Sequence, residues 1–254
     1  MIPIVHSIYR HPVKGLTPES LNAVNLEPGR AIPNDRRFAL ALGSTPTEAA
    51  STTWMSKSNF LMLQRNARLA QLRTSFDDET DTLLVRQGEQ TLATGKLTDE
   101  IGRSTIENFF GTYMNKEAKG QPKVVEAAFN HVLSDHATPV ISIINLSSLK
   151  DLEKITQTVL DPLRFRANIW LDGIPPWAEF EWINKKILIG AVHITVTSRI
   201  DRCAAINVNP NTAERDQNII KALKRGYQHI DFGIFGEAET AGTISVGDEL
   251  LMHT

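Results

Sequence analysis

Alternating apolar and polar positions predict short β-strands along most of the chain. An acidic turn at Asp77-Asp78-Glu79 separates two such segments, which predicts a β-hairpin. Farther along, Gly190 interrupts another alternating segment and marks a hairpin turn or a β-bulge. The predicted strands occupy residues 21–26, 37–42, 69–76, 82–86, 140–145, 168–172 and 187–196, and residues 242–250 are predicted to form strand, turn and strand.

Apolar residues at three- and four-residue spacing predict three helices. The first helix covers residues 99–113. The second begins at the capping residue Ser147, carries an apolar stripe that reaches Val159, and is ended by Asp161-Pro162. The third covers residues 216–225, because that segment has an acidic start, apolar residues inside and basic residues at its end.

The balance of these elements predicts the fold class. Many short strands, few helices and no β–α–β rhythm favour β-barrels over a doubly wound sheet. We therefore expect a mainly β protein with a few helices, in which the hydrophobic period changes near Thr98. Residues 43–53, which are rich in Ser, Thr and Ala, are interpreted as a surface loop.

Composition and charge narrow the range of functions. The 254 residues are 41% hydrophobic and 22% charged, and their net charge of −2 gives no general attraction to nucleic acid or anionic lipid. The N-terminal segment lacks a secretory pattern, and the apolar stretches are too short to cross a membrane. One cysteine excludes an internal disulfide, a self-contained iron–sulfur cluster and a Cys-rich zinc site, so we expect a cytoplasmic protein.

Familiar catalytic motifs are missing from the sequence. There is no dinucleotide fingerprint, no phosphate loop ending in Gly-Lys-Ser/Thr, no His-Glu-x-x-His and no Gly-x-Ser-x-Gly. The seven histidines show no metal-binding spacing, so no metal is assigned to them.

The single cysteine, Cys203, follows a predicted strand that ends in a cluster of charges. Arg199 and Arg202 favour the thiolate, which is the form that coordinates metals or attacks electrophiles. A lone cysteine is more often a small buried hydrophobic residue, and the local sequence leaves that alternative open.

Basic residues recur beside predicted turns at separated places in the chain. They are Lys14, Arg36, Arg37, Arg164 and Arg166. Taken singly, each is a solvated surface charge. If the fold brings them together, they form a cradle for a phosphorylated ligand, because guanidinium groups match phosphate oxygens.

Several ordered motifs resemble those of the MOSC family. Residues His11-Pro12-Val13-Lys14-Gly15-Leu16 and Asp35-Arg36-Arg37-Phe38 are similar to the β-barrel domain that precedes a MOSC domain. The resemblance implies an N-terminal β-barrel domain at 1–95 and a MOSC β-barrel domain at 96–254. The motifs that resemble the MOSC domain itself are Arg164-Phe165-Arg166-Ala167-Asn168-Ile169, Arg202-Cys203, Val208-Asn209-Pro210-Asn211-Thr212, Arg215-Asp216, Phe232-Gly233 and 242–248.

The resemblance implies a site for a pterin-type molybdenum cofactor between the two barrels. The family includes the mitochondrial amidoxime-reducing component, bacterial relatives that reduce N-hydroxylated compounds, and the C-terminal domain of molybdenum cofactor sulfurases. Cys203 matches the catalytic cysteine that ligates molybdenum, and a soft thiolate suits such a metal. The residues that match the cofactor-binding positions are Lys14, Arg36, Arg166, Asn168 and Arg202.

Three departures from the family pattern concern the groups that face the substrate. Asp201 replaces a small polar residue, and Phe235 replaces a tyrosine found in some members. The acidic stretch before a proline appears one residue longer here, so Asp135 and His136 receive no role.

Three functional hypotheses follow. The first is a molybdenum-cofactor oxidoreductase that reduces N–O bonds of small N-hydroxylated substrates. Its electrons would come from a separate iron–sulfur protein or flavoprotein, because one cysteine cannot hold an iron–sulfur cluster. The second is a non-catalytic carrier of cofactor or sulfur on Cys203. The third is a barrel protein with a buried cysteine and dispersed surface arginines.

Overall fold

The structure is a computed structural model that describes residues 2–129 and 131–252, so His253, one of the histidines given no metal, lies outside the described residues. The strands are β1 Ile4–Arg10, β2 Glu19–Leu21, β3 Ala23–Leu26, β4 Phe38–Ala41, β5 Arg73–Asp77, β6 Thr82–Gln87, β7 Gln90–Lys96, β8 Lys123–Glu126, β9 Ile141–Asn145, β10 Ile169–Asp172, β11 Lys186–Ile189, β12 Val192–Asp201, β13 Asp231–Ala238, β14 Gly242–Ser245 and β15 Leu250–Met252. The helices are α1 Thr47–Thr52, α2 Glu100–Met114, α3 Leu146–Thr156 and α4 Ile219–Tyr227, with several short 3-10 turns between elements.

The largest sheet has the strand order β15-β11-β12-β13-β9-β10-β1-β2. It curls back on itself, because the Val5 N–H donates to the Asp248 carbonyl (2.8 Å) and the Gly247 N–H donates to the Val5 carbonyl (2.8 Å). These bonds bring β1 beside the segment that precedes β15. The inner face is filled by alternating residues such as Val192, Ile194 and Val196. We call this element the barrel-like sheet.

A smaller unit comprises β4 to β8 with α1 and α2. Strands β5, β6 and β7 form an antiparallel meander, and β4 pairs with β8. Helix α2 packs its buried Ile106 and Phe110 into the same apolar cluster as Phe38 and Leu83. Strand β3 pairs with β14 next to the barrel-like sheet. The domain boundary between residues 95 and 96 stays a prediction.

The predicted fold class is confirmed: the protein is mainly β with a few helices. The hairpin across the acidic turn forms between β5 and β6, with Asp77 opposite Thr82. The hairpin at Gly190 joins β11 and β12, and the positive φ of Gly190 (+55°) explains why glycine suits this turn. The first predicted helix corresponds to α2, for which Asp99 is the N-cap.

The other two helix predictions were wrong at their ends. Helix α3 starts at Leu146, because Asn145 rather than Ser147 supplies the cap, and it ends before Val159, which is exposed. Helix α4 starts only after Asn218, whose side chain accepts from the Lys221 N–H (3.0 Å).

Three further segments differ from prediction. Residues 69–76 divide into a 3-10 turn and β5, because Leu69 and Leu72, three residues apart, are both buried. Residues 43–53 contain helix α1, where Ala50 packs against residues of β4 and β8. Residues 21–26 are not one strand: β2 pairs with β1, whereas β3 pairs with β14.

The expectation of no β–α–β unit was also wrong. Strands β9 and β10 are parallel neighbours joined by α3. A buried carboxyl fixes this crossover: Glu179 accepts from Asn145 Nδ2 (3.0 Å) and Ser148 Oγ (2.7 Å), and Ser148 Oγ accepts from the Trp177 N–H (2.8 Å). Burial raises the pKa of Glu179 despite these hydrogen bonds.

The Glu179 pKa predicts a pH effect on stability. A carboxyl whose folded pKa is raised binds more protons in the folded state, so its contribution to stability falls as pH rises through that pKa. In urea titrations, we expect the free energy of unfolding of Glu179→Gln to increase relative to that of wild type as the pH rises above 4.5, the ordinary pKa of a glutamate. Glu181→Gln, an exposed neighbour, is the control and should show no such trend.

Candidate functional site

A cavity of about 290 Å³ lies between the barrel-like sheet and the smaller unit. It is bordered by the segments between strands and by residues of β9, β12 and β13. Lys14 follows β1, Arg36 precedes β4, Arg166 precedes β10 and Cys203 follows β12, and all four line the cavity. The structure therefore brings together basic residues that are up to 152 positions apart in the sequence.

Cys203 is half-buried at the start of a 3-10 turn. Lys57 lines the same cavity, and its ammonium donates to Asp135 Oδ2 (3.1 Å). Burial lowers the pKa of Lys57, but Asp135 and Cys203 outweigh this effect and the pKa is raised. Lys57 is therefore a cation on this cavity that the sequence did not single out.

Lys14 is buried on the same side of the cavity. Its ammonium donates to the Leu133 carbonyl (3.0 Å) and to the Asp135 carboxylate. Burial lowers the pKa of Lys14, with Asp135 acting in the opposite direction. Burial raises the pKa of Asp135, but Lys14 and Lys57 outweigh it and hold that pKa at about 2. One carboxylate therefore bridges two ammonium groups beside Cys203.

A second group of charges surrounds Asp35. Burial raises the pKa of this carboxyl, but Arg36 and hydrogen bonding from His11 hold it well below its usual range. The His11 ring is fully buried, and its Nδ1 lies 3.4 Å from Asp35 Oδ1. Burial, reinforced by Arg166 and Arg36, lowers the pKa of His11 to about 3. His11 is therefore neutral beside the two guanidinium groups.

Arg36 and Arg166 both have left-handed backbone conformations (φ +49° and +52°). Arg36 Nη2 donates to the Arg166 carbonyl (3.0 Å), and Arg166 Nη1 donates to the Leu16 carbonyl (2.8 Å). Burial lowers the pKa of Arg166 to about 9, aided by the nearby Arg36 charge. The two arginines thus join the two parts of the molecule while they line the cavity.

Asn168 and Arg202 also line the cavity, but their polar atoms form hydrogen bonds with neighbouring backbone carbonyls and with Ser142. Asn168 Oδ1 accepts from Ser142 Oγ (2.7 Å), and its Nδ2 donates to the Tyr9 carbonyl (3.1 Å). Arg202 donates from Nε to the Phe232 carbonyl (2.7 Å) and from Nη1 to the Phe165 carbonyl (2.8 Å). Burial lowers the pKa of Arg202 to about 9.

Arg164 contributes a donor whose partner is missing among the described residues. Its Nη2 donates to Asp216 (2.7 Å) and its Nη1 to the Asn207 carbonyl (3.3 Å), whereas the buried Nε has no hydrogen-bond partner. Buried donors are rarely left unsatisfied. An anionic ligand or an ordered water in this cavity, which Arg164 also lines, would satisfy it.

The residues that depart from the family pattern lie at the cavity as well. His136 packs against Phe235 with ring centroids 5.1 Å apart, and both side chains line the cavity. His136 Nδ1 is held by the Thr138 N–H (3.3 Å). Sequence reasoning left Asp135 and His136 without roles and missed Lys57. The lysine sits outside the recognised motifs, in a segment with no distinctive spacing.

Two classes of feature are not found in residues 2–129 and 131–252. No three His, Cys, Asp or Glu side chains gather in a way that would hold a metal ion. Each helix is also too short or too polar to cross a bilayer. Cys203 contributes a thiol to the cavity, which lysine and arginine side chains also line.

The fold and the cavity define a two-part β protein with a thiol in a cationic cleft. The model of the MOSC N-terminal beta barrel domain matches residues 2–135, and the model of the MOSC domain matches residues 130–251. The chain belongs to the MOSC family.

Its relatives include proteins with curated descriptions. The mitochondrial amidoxime-reducing component 1 of Mus musculus is 26% identical over 155 residues, which is 56% of this chain and 45% of that protein. The molybdenum cofactor sulfurase of Caenorhabditis elegans is 26% identical over 248 residues, which is 92% of this chain and 33% of that protein. The chain thus covers less than half of each relative.

Among solved structures, the YUAD protein from Bacillus subtilis aligns with 98% of this chain and 94% of its own. The TM-score is 0.49 and the sequences are 13% identical. This similarity does not bear on function.

The carbonyl contacts of Arg202 predict a structural cost for its removal. Arg202→Met leaves buried carbonyls without a charged donor, so we expect a loss of about 2–4 kcal/mol in unfolding free energy. Arg86→Met, at an exposed strand position, should stay within about 0.5 kcal/mol. Denaturant titrations of both variants measure the difference, and equal small effects would contradict the assigned role.

Proposed function

We propose that this protein binds a molybdenum cofactor and reduces N-hydroxylated small molecules. The observation that supports it is the half-buried thiol of Cys203 on a cavity that Lys14, Lys57, Arg36 and Arg166 also line. A soft thiolate surrounded by cations suits a metal that carries an anionic, phosphate-bearing ligand.

The residues present fit such a group. Cys203 would ligate the metal, while Lys14, Arg36 and Arg166 would hold the phosphate and pterin. The unpartnered Nε of Arg164 offers one more buried donor at the same cavity. Asn168 and Arg202 serve by fixing the turns that carry Arg166 and Cys203, since their polar atoms already bond to the scaffold.

When bound, the cofactor would supply two-electron chemistry. The overall reaction takes an N–OH compound, two electrons and two protons to an N–H compound and water. Lys57 would place a positive charge on the cavity that Cys203 also lines, where negative charge would increase on reduction. His136 and Phe235 form a wall of the same cavity and would contact the substrate.

The two electrons would come from a separate iron–sulfur protein or flavoprotein, because the one cysteine is assigned to the metal. With one cysteine the chain cannot form an internal disulfide, which supports a role in the reducing cytoplasm.

A carrier of cofactor or sulfur is the second candidate. The presence of Cys203 and Lys57 on the same cavity favours it, because a nearby cation stabilises a sulfur anion whether or not the protein turns over. The alignment over 92% of the chain with a molybdenum cofactor sulfurase points in the same direction. Loaded protein that reduces no N-hydroxylated compound with dithionite-reduced methyl viologen would favour the carrier.

Removal of the thiol tests the proposed metal ligand. We expect Cys203→Ala, produced in a host that makes molybdenum cofactor, to lose at least about nine-tenths of its bound molybdenum and its N–O reductase activity. Elemental analysis per polypeptide and benzamidoxime reduction measure the two losses. A Cys203→Ala protein with wild-type molybdenum and activity would exclude both candidate functions.

The cradle predicts a separate effect on cofactor retention. Lys14→Met removes one charge-assisted contact, so we expect about tenfold weaker retention of cofactor. The measurement is the molybdenum that remains after extended dialysis. Lys116→Met, at an exposed site in the smaller unit, serves as the control and should retain as much metal as wild type. Equal retention in the two variants would remove Lys14 from the cradle.

A further inference from the structure

Three carboxyl groups of the described residues line the cavity, and they differ in how they are neutralised. Asp35 and Asp135 are both ion-paired with the arginine and lysine side chains described above. Asp201 has no ion pair, and its side chain accepts no hydrogen bond, within residues 2–129 and 131–252. Asp201 is also exposed, so a ligand in the cavity can reach it. The cavity therefore offers a ligand one carboxylate that no side chain of the protein neutralises by direct contact.

Asp201 lies between the proposed metal ligand and an aromatic wall of the cavity. It is the last residue of β12, and Cys203 follows two positions later with an extended backbone. An extended chain rises about 3.3 Å per residue, so the two side chains leave the backbone about 7 Å apart. In the other direction along β12, Ser198 pairs with Phe235, which also lines the cavity. A small molecule that reacts at Cys203 and packs against Phe235 would therefore extend past Asp201.

The two arginines closest to Asp201 in the sequence are occupied by other contacts. Arg202 donates from Nε and Nη1 to two buried backbone carbonyls. Burial lowers the pKa of Arg202, and the charges of Cys203 and Asp201 act in the opposite direction without outweighing it. Arg199 lies over the Phe180 ring, with its guanidinium carbon 4.3 Å from the ring centroid. The oxygens of Asp201 therefore remain free to accept hydrogen bonds from a ligand.

A carboxylate at this position is unfavourable for the other groups proposed to meet here. Like charges repel, so Asp201 disfavours a thiolate at Cys203 and a phosphate-bearing ligand in the cavity. Asp201 is therefore not explained by binding of the proposed cofactor, which is itself anionic. A substrate with an ammonium, amidinium or guanidinium group would supply the opposite charge and form a charge-assisted hydrogen bond or ion pair with the carboxylate.

We propose that Asp201 selects N-hydroxylated substrates that carry a positive charge near the N–OH group, by pairing with that charge. This inference rests on the proposed reductase function and names the substrate class of the same site. The charged group takes no part in the reduction itself, so Asp201 determines specificity through binding. Because Asp201 is exposed, solvent screens the ion pair, and we expect a preference of about threefold to fivefold for the cationic substrate.

A pair of unreactive ligands tests the charge preference without turnover. The cation para-(trimethylammoniomethyl)benzamide and its neutral isostere para-neopentylbenzamide have the same shape, and neither has an N–O bond to reduce. Calorimetry at low salt should show that cofactor-loaded wild-type protein binds the cation about threefold to fivefold more tightly, and about 0.5 M NaCl should remove the difference. Equal Kd values for the two ligands at low salt, tighter binding of the neutral one, or binding of neither would overturn the proposal.

Three variants, compared at equal molybdenum content, assign the preference to one side chain. Asp201→Asn removes the charge, so its Kd values for the two ligands should differ by less than about 1.5-fold. Asp201→Glu keeps the charge and should keep the preference for the cation. Glu89→Gln removes one charge from the exposed turn between β6 and β7 and should keep the wild-type ratio of Kd values. An Asp201→Asn protein that still prefers the cation as strongly as wild type would refute the assignment.

Turnover of the two corresponding amidoximes separates this proposal from the reductase function. With reduced methyl viologen, the wild-type kcat/KM should be about threefold to fivefold higher for the cationic amidoxime, through a lower KM, and Asp201→Asn should lose this difference. An equal loss of kcat on both substrates, with the ratio retained, would place Asp201 in proton transfer and contradict its role in selectivity. No reduction of either compound by wild type would contradict the reductase function, while the Kd ratio would still decide whether Asp201 selects cations.

Discussion

Pairing between buried cations and a few carboxylates is the interaction on which the site depends. An ammonium or guanidinium loses much of its hydration when it is buried, and several of them in one cleft also repel each other. Asp35 lies beside Arg36 and the neutral His11, and Asp135 bridges Lys14 and Lys57. These two carboxylates reduce the electrostatic repulsion between the buried cations. The cleft that contains Cys203 therefore keeps a positive charge.

The same side chains serve as structural ties. Arg166 reaches the Leu16 carbonyl and Arg36 reaches the Arg166 carbonyl, so each contact spans the junction between the barrel-like sheet and the smaller unit. Backbone hydrogen bonding by Arg202 and Asn168 then fixes the turns that present Cys203 and Arg166. A ligand would meet groups whose positions are already set, which lowers the entropy lost on binding.

Local pattern was enough for the mainly β class, the two hairpins and α2, because alternation and capping are short-range properties. The local pattern failed at the start of α4. An acidic residue such as Asp216 is typical of the first turn of a helix, but here its carboxylate accepts a hydrogen bond from Arg164 and lies outside the helix. It also failed for the β9–α3–β10 crossover, because the local sequence of one strand does not indicate which distant strand pairs with it in parallel. In the site, motif resemblance selected Cys203 and the basic residues, whereas Lys57 became visible only through its contacts in space.

The ties between distant residues have a consequence for the order in which the molecule assembles. The bond from Arg166 to Leu16 closes 150 positions of chain, and that from Lys14 to Asp135 closes 121. Such long closures carry a large entropy cost and form late in folding, after local hairpins and helices. The cleft is therefore completed only when nearly the whole polypeptide is available. A nascent chain that has emerged only up to α2 would hold Lys14 and Arg36 without Asp135 and Arg166, so the cavity cannot be assembled until those later segments have been synthesised.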